Sequence, residues 1–165
     1  MTARSGNILG FLACAALLGY AYYAQYVMHL EPCPLCIFQR IGVFALGVAF
    51  LLGAIANAKS KGRYVIACLV GLAALVTVGI AGKHVYIQSL PAGSVPSCGA
   101  SLDFMMKIFS VSEVIKKVLS GSGECAQITW RLLGLSMPGW VLIAAAFLGA
   151  FGLWVNLRRP VPAPR

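Results

Sequence analysis

Residues 31–57 read EPCPLCIFQRIGVFALGVAFLLGAIAN, and this stretch joins a cysteine pair to a long apolar run. From residue 41 to residue 57 the run contains no charged side chain, and its length approaches the about 20 residues that a helix needs to cross a membrane. Pro34 suits the first turn of a helix, so we expect the helix to begin there with Cys33 as its N-cap. The stretch therefore predicts a membrane-spanning helix that starts at a Cys-x-x-Cys motif.

Three further apolar segments extend this prediction along the chain. They cover about residues 8–28, 64–82 and 139–157, in addition to the span at about 41–57. The composition agrees, because 10% of the 165 residues are charged, whereas soluble domains carry about 25%. We predict an all-α membrane protein, a single integral membrane domain over residues 1–165 that forms a four-transmembrane-helix bundle. The first segment is too long for the apolar region of a signal peptide, so we expect it to be retained.

The distribution of basic residues predicts the orientation of the bundle, because cytoplasmic connections are enriched in Lys and Arg. Three places on one side hold basic residues and no acid: Arg4, Lys59, Lys61, Arg63, Arg158, Arg159 and Arg165. The other side also carries basic residues, so the bias depends mainly on the short connection at 57–63. We expect both termini in the cytoplasm of a bacterial inner-membrane protein. The net charge of +9 then reflects topology, and we expect no nucleic-acid partner.

Two periplasmic loops follow from this orientation, at about residues 29–38 and 84–138. In the longer loop, residues 102–119 have apolar side chains at helical spacing with polar ones between them, which predicts a short amphipathic helix. Such a helix can lie in the plane of the lipid headgroups or pack on the bundle, and the sequence leaves both arrangements open.

The cysteines divide into two groups. Cys14 and Cys68 lie within apolar runs, where a thiol behaves as a small hydrophobic group. The other four lie in the predicted periplasmic loops, where disulfides persist: Cys33, Cys36, Cys98 and Cys125. A shared zinc ion is the weaker interpretation, because Cys98 and Cys125 lack the close spacing of zinc ligands.

The two cysteine pairs favour different chemistry. A disulfide between Cys33 and Cys36 closes a loop too small to stabilise the fold much, so this pair is better suited to thiol–disulfide exchange. The positive end of the predicted helix favours a thiolate there. The pairing of Cys98 with Cys125 closes a larger loop, and by spacing alone it is as readily structural as catalytic.

Arg40 follows Cys36 by four residues, which places both on one helix face. At the membrane boundary an arginine either extends its charge to the interface or serves a site by holding a charged intermediate or an anionic oxygen. A thiol pair at this depth can meet a lipid-soluble electron carrier, and a quinone is the obvious one. Two dithiol pairs on one face then predict a relay from water to lipid.

Taken together, these residues resemble the DsbB family of disulfide bond formation proteins over nearly the whole chain. The resemblance rests on EPCPLC with Gln39–Arg40, on Lys83–His84 ahead of Cys98, on GECA at 123–126, and on LGLSMPGW at 133–140. It implies a quinone-dependent protein-disulfide oxidoreductase in periplasmic protein folding, with a DsbA-like thiol oxidase as partner and ubiquinone, or menaquinone, as cofactor.

The resemblance also implies roles for particular residues. A DsbA cysteine attacks Cys98 of a Cys98–Cys125 disulfide, and the electrons pass to Cys33 and Cys36. Cys36 then engages the quinone, Arg40 stabilises the charge, and His84 lies near the quinone, although a polar anchor at the span end is also open for His84. We interpret Trp130 and Trp140 as interfacial anchors.

Two other functions compete with this one. A quinone-linked reductase of the vitamin K epoxide reductase type also has a CxxC near lipid, but there the shuttle pair precedes the CxxC, and here the order is reversed. The other alternative is a non-enzymatic scaffold whose disulfides stabilise an outer domain. Such a scaffold would show no thiol–disulfide exchange activity.

Overall fold

The computed structural model describes residues 2–57, 61–91, 107–108, 110, 112–113, 123–128 and 130–158. Its elements are α1 (Ala3–Tyr26), α2 (Pro34–Ala56), α3 (Gly62–Ser89), α4 (Gly123–Ala126), β1 (Arg131–Leu132), β2 (Leu135–Ser136) and α5 (Met137–Leu157). The helices α1, α2, α3 and α5 are long and apolar enough to cross a membrane. The predicted four-helix membrane bundle is confirmed. Cys98 and most of the predicted amphipathic helix at 102–119 lie outside the described residues.

Local sequence sets the ends of the helices. Thr2 caps α1 by accepting a hydrogen bond from the Ser5 backbone N–H at 3.1 Å. As expected, α2 begins at Pro34 with Cys33 as N-cap, so residues 34–38 of the loop predicted at about 29–38 are helical. The helix ends at Ala56, and its C-cap Asn57 has the left-handed conformation with φ 41°, which asparagine adopts more readily than most residues.

The third helix is longer than its apolar run. Residues 84–89, which hydropathy assigned to the second loop, are the last residues of α3. Polar residues end the apolar run at Lys83, but the helix continues because one of its faces still packs against the bundle, with His84 and Ile87 buried.

The bundle packs α3 against both α2 and α5, and α1 mainly against α2. Two glycines allow α5 to approach closely. A Cβ at Gly149 would lie 2.6 Å from the Ala74 Cβ, and one at Gly152 would lie 2.5 Å from the Val70 Cγ1. Small residues at such crossings are typical of membrane helices, because their association depends on close van der Waals packing.

A pair of asparagines joins the first and last helices at the end of the bundle where α1 begins and α5 ends. The Asn7 Nδ2 donates to the Asn156 Oδ1 at 3.0 Å, and the Asn156 Nδ2 donates to the Asn7 Oδ1 at 3.0 Å. The Asn156 Nδ2 also donates to the Gly152 backbone carbonyl at 2.8 Å. We call Asn7 and Asn156 the terminal-end cluster.

A short hairpin leads into α5 at the opposite end of the bundle. β1 and β2 pair antiparallel, with Arg131 opposite Ser136. The two turn residues, Leu133 and Gly134, have φ 52° and 82°, as expected for a type I′ turn. The Trp140 Nε1 donates to the Leu132 backbone carbonyl at 3.1 Å, which holds the hairpin against the start of α5.

Candidate active site

The Cys-x-x-Cys pair lies at the start of α2. Cys33 is the N-cap and Cys36 lies in the first turn, and both are partly buried. Their sulfur atoms are 3.1 Å apart. The two sulfur atoms are therefore close enough for a small shift to join them in a disulfide.

His84 reaches this pair from α3. Its Nε2 lies 3.7 Å from the Cys33 Sγ and 3.2 Å from the backbone oxygen of Cys125. The side chain is 1% exposed, so its polar contacts come from the protein rather than from bulk water. His84 therefore contacts one cysteine from each of the two predicted loops.

Cys125 lies in α4, where it packs against the loop end of the bundle. It is buried with Leu35 and Ile87 in a small apolar cluster that also contacts Cys33. The Cys33 Sγ, the Cys125 Sγ and a ring nitrogen of His84 lie within 4.8 Å of one another. The fold thus brings a cysteine 92 positions away in sequence close to the Cys-x-x-Cys pair. Cys98 lies outside the described residues, so its pairing stays a prediction.

Gln39 completes the contacts of the imidazole. The Gln39 Nε2 lies 3.1 Å from the His84 Nδ1, and Gln39 is buried one turn below Cys36 in α2. We call Cys33, Gln39, His84 and Cys125 the loop-end cluster.

Arg40 is held by α1 rather than extended into water. It donates hydrogen bonds to the Gln25 Oε1 and to the Ala21 backbone carbonyl, the latter at 3.0 Å. Its guanidinium carbon lies 5.2 Å from the centre of the Tyr22 ring, within cation–π distance. A guanidinium has five N–H donors, so these two hydrogen bonds leave donors that can face a ligand.

A cavity of about 350 Å³ opens between α1, α2, α3 and the start of α5. Its wall includes Cys33, Cys36, Gln39, Arg40, His84 and Trp140. The volume is at the lower end of the about 300–1,000 Å³ typical of small-molecule sites. Apolar walls with a few convergent polar groups are also typical of such sites, so the cavity suits a small apolar ligand that carries a few polar atoms.

The predicted site residues are largely brought together. Four of them line one cavity: Cys33, Cys36, Arg40 and His84. Cys125 is not part of this lining, but its backbone oxygen contacts the His84 ring. Trp130 and Trp140 line the same cavity, which adds a contact that the interpretation as interfacial anchors did not anticipate.

Sequence reasoning missed the partners of the site residues. Gln25 and Gln39 were not predicted as site residues, although each is an uncharged polar residue in or beside an apolar span. Polar side chains at membrane depth are commonly functional, and this signal marks both glutamines, although it marks Asn7 and Asn156 as well.

Two thiols and one imidazole can serve either redox exchange or a soft metal ion. The close approach of Cys33 to Cys36 and the short distance to Cys125 are what successive disulfide exchanges require, since each exchange needs a thiolate near a disulfide sulfur. The arrangement therefore supports transfer of electrons from Cys125 through Cys33 to Cys36, next to a cavity open to an apolar ligand.

Comparison with known proteins agrees with this chemistry. The family model described as "Disulfide bond formation protein DsbB" matches residues 3–155. Proteins named disulfide bond formation protein B are similar over most of their length. The one from Nitrosococcus oceani is 50% identical over 146 residues, which are 88% of this chain and 86% of that protein.

Two further relatives match almost end to end. The protein from Hahella chejuensis is 45% identical over 162 residues, 97% of each chain. The one from Chromobacterium violaceum is 47% identical over 159 residues, 96% of each chain. With its four apolar helices and clustered cysteines, this chain belongs to the DsbB family of membrane disulfide bond formation proteins.

Proposed function

We propose that electrons enter this chain at a Cys98–Cys125 disulfide, pass from Cys125 to Cys33, and leave from Cys36 to a quinone beside Arg40 and His84. The observation that carries the proposal is the approach of the Cys33 and Cys125 sulfur atoms to within 4.8 Å, at the edge of a cavity lined by Cys36 and Arg40.

Family membership supplies the overall reaction. The protein is a multi-pass membrane protein-disulfide oxidoreductase, and proteins of this family re-oxidise DsbA and transfer the electrons to a membrane quinone. DsbA is a strong oxidant with a potential of about −120 mV, so its re-oxidation needs an acceptor at a still higher potential. Each 30 mV of difference contributes about 1.4 kcal/mol for two electrons.

The proposed exchanges balance atom by atom. A thiolate of the partner attacks Cys98, forms a mixed disulfide and releases Cys125 as a thiolate. Cys125 attacks Cys33, which breaks the Cys33–Cys36 disulfide and releases Cys36 as a thiolate. The partner's second thiolate then resolves the mixed disulfide and frees Cys98, which attacks Cys125 and frees Cys33. The partner has lost two electrons and two protons, and Cys33 and Cys36 have gained them.

The chain's own residues then prepare the last step. A bound quinone supplies a two-electron, two-proton acceptor. Cys36 presents its sulfur to the cavity, and Arg40 places positive charge there, held in position by Gln25 and Ala21. A cation beside a developing negative charge stabilises it most in an enclosed apolar site. Ubiquinone is the proposed acceptor, and menaquinone is possible on the same chemistry.

The proposed location is the bacterial inner membrane, with both termini in the cytoplasm. The short basic connection at 57–63 supports this orientation, and so does the oxidising environment that disulfides need. The loop-end cluster then faces the periplasm, where a DsbA-like partner is found.

The test is quinone-dependent oxidation of a reduced DsbA-like protein by the purified chain in detergent or nanodiscs. Cys125→Ser should trap Cys98 in a mixed disulfide with the partner, and mass spectrometry identifies the linked peptides. Ubiquinone and menaquinone analogues compared at equal concentration identify the acceptor. Turnover that persists in Cys36→Ser would contradict the proposed route, and absence of any exchange would favour the disulfide-braced scaffold.

A further inference from the structure

The imidazole of His84 is held in one tautomer by its two neighbours. The Cys125 carbonyl at 3.2 Å can only accept a hydrogen bond, so this contact is a hydrogen bond in the tautomer whose Nε2 carries the proton. In the neutral ring the Nδ1 is then an acceptor, and a donor must face it. The Gln39 amide nitrogen at 3.1 Å is that donor. A buried ring leaves water little access to replace either partner.

The protonated Nε2 faces the two groups that must meet during transfer between the loops. It donates to the backbone of Cys125 and lies 3.7 Å from the Cys33 sulfur. The backbone of Cys125 is thereby fixed while its sulfur stays within 4.8 Å of that of Cys33. Exchange between sulfurs needs close and directed approach, because a small misplacement of reacting atoms lowers the rate strongly.

We propose that Gln39 is a positioning residue for the transfer of electrons between the two loops. By fixing the tautomer of His84 it keeps the Nε2–H directed at the Cys125 carbonyl, and it thereby holds the Cys125 sulfur in reach of Cys33. The inference rests on the proposed function. It adds a role for the Gln39–His84 pair, which promotes formation of the Cys33–Cys125 disulfide before the quinone is reduced.

The test isolates that disulfide from both the quinone and the protein partner. In a Cys36→Ser/Cys98→Ser background, Cys33 and Cys125 are the two loop cysteines that remain. The equilibrium of their disulfide with a glutathione buffer measures how well the fold brings the two sulfurs together. Peptide mapping identifies which cysteines are linked, so that any disulfide formed by Cys14 or Cys68 is not counted.

Gln39→Leu in this background should lower the equilibrium constant for the Cys33–Cys125 disulfide by about three- to tenfold, the equivalent of one net hydrogen bond.

Thr77→Val is the matched control for loss of a buried hydrogen bond in the same bundle. Thr77 is buried in α3 and donates to the Ala73 carbonyl at 2.7 Å, two turns from His84. This variant should leave the disulfide equilibrium unchanged. A fall equal to that of Gln39→Leu would mean that general loosening of the bundle explains the effect, and the proposal would be wrong.

The nitrogen-15 NMR shifts of the two histidine rings provide a readout that a merely structural role does not move. The chain has two histidines, and His84→Asn assigns the His84 signals. We expect the Nε2–H tautomer in the parent and a mixture of the two tautomers in Gln39→Leu. An unchanged Nε2–H tautomer in Gln39→Leu would overturn the proposal, because Gln39 would then not determine the tautomer of His84.

Different outcomes contradict the proposed electron route and the positioning role of Gln39. If no Cys33–Cys125 disulfide forms in the parent background, with Gln39 intact, the proposed electron route itself is wrong. If the disulfide forms in the parent and equally in Gln39→Leu, the route stands and the positioning role of Gln39 is wrong.

Discussion

The terminal-end cluster and the loop-end cluster are both buried polar groups in an apolar bundle, but they are satisfied in different ways. Asn7 and Asn156 are 1% and 4% exposed, and His84 and Gln39 are also 1% and 4% exposed, so burial does not distinguish the clusters. The two asparagines bond reciprocally to each other. In the loop-end cluster the chain of contacts runs from Gln39 through His84 to Cys125 and Cys33.

This difference separates a structural from a functional use of polarity within a membrane. A reciprocal amide pair closes on itself and joins α1 to α5, so its removal affects the association of helices. In the loop-end cluster the contacts of His84 end on two cysteines, so we expect this cluster to position their sulfur atoms. Where the hydrogen bonds of a buried polar residue lead is therefore more informative than how deeply it is buried.

The largest expected effect comes from breaking the chemistry at the loop end. Cys36→Ser should reduce quinone-dependent oxidation of a DsbA-like partner to background, because the Cys33–Cys36 disulfide can no longer form. The matched control is Cys68→Ser, since Cys68 lies exposed on the surface of the bundle and should be dispensable. A stopped assay of partner thiols measures both, and loss of activity in the control would mean that cysteine content alone destabilises the protein.

The charge at the cavity should have the next largest effect. Arg40→Leu should lower quinone-dependent turnover by about 100-fold, the order of magnitude for loss of one charge-stabilising donor in an active site. Arg40→Lys should lose less turnover, because an ammonium keeps the charge but not the planar donor geometry. Single-turnover exchange with the partner, measured without quinone, should stay intact in both. A defect in that quinone-free exchange would place Arg40 in the sulfur relay instead.

We expect helix α1 to affect quinone binding through its contact with Arg40. Gln25→Leu removes the amide that accepts from the guanidinium, and it should raise the KM for quinone by about three- to tenfold, as expected for one net hydrogen bond. In the double variant with Arg40→Leu the two effects should not add, because residues that share one interaction are coupled. Full additivity in the kinetic cycle would contradict this connection.

The smallest effect on activity should come from the terminal-end cluster, where stability changes instead. Asn7→Ala should lower the free energy of unfolding by about 1–2 kcal/mol, because the Asn156 amide loses its buried partner. The interaction energy between Asn7→Ala and Asn156→Ala in a double-mutant cycle should be about 0.6 kcal/mol, the average for interhelical hydrogen bonds in a membrane protein. Unfolding in mixed micelles measures this, and turnover of the folded fraction should stay within about twofold of the parent. Turnover that falls as far as in the Arg40 variants would break the comparison between the clusters.

Sequence patterns predicted much of this architecture for clear reasons. Span positions follow from apolar length, and the start of α2 follows from Pro34, because a proline at the first helical position sacrifices no hydrogen bond. The end of α3 was missed, since hydropathy registers the polar residues at 83–84 and not the buried face that continues through Ile87.

The site residues likewise divide into those that local sequence predicts and those that only the packing of the helices reveals. Cys33 and Cys36 are recognisable from residue type and local spacing, because a Cys-x-x-Cys pair suits thiol–disulfide exchange, and Arg40 is recognisable as a cation one helical turn after Cys36. The roles of Cys98 and Cys125 followed only from the family resemblance. The contacts of Gln25 with Arg40 and of Gln39 with His84 join different helices, and no local pattern encodes which helices become neighbours.

The sequence by itself determined that the chain is a four-span membrane protein with a Cys-x-x-Cys at the start of its second span, since length, hydropathy and capping are local properties. Tertiary structure alone decided that Cys125 comes to rest beside Cys33, that His84 lies between them and that α1 holds Arg40. Those arrangements depend on which helix faces pack together, and packing is set by the shapes of all the neighbouring side chains at once.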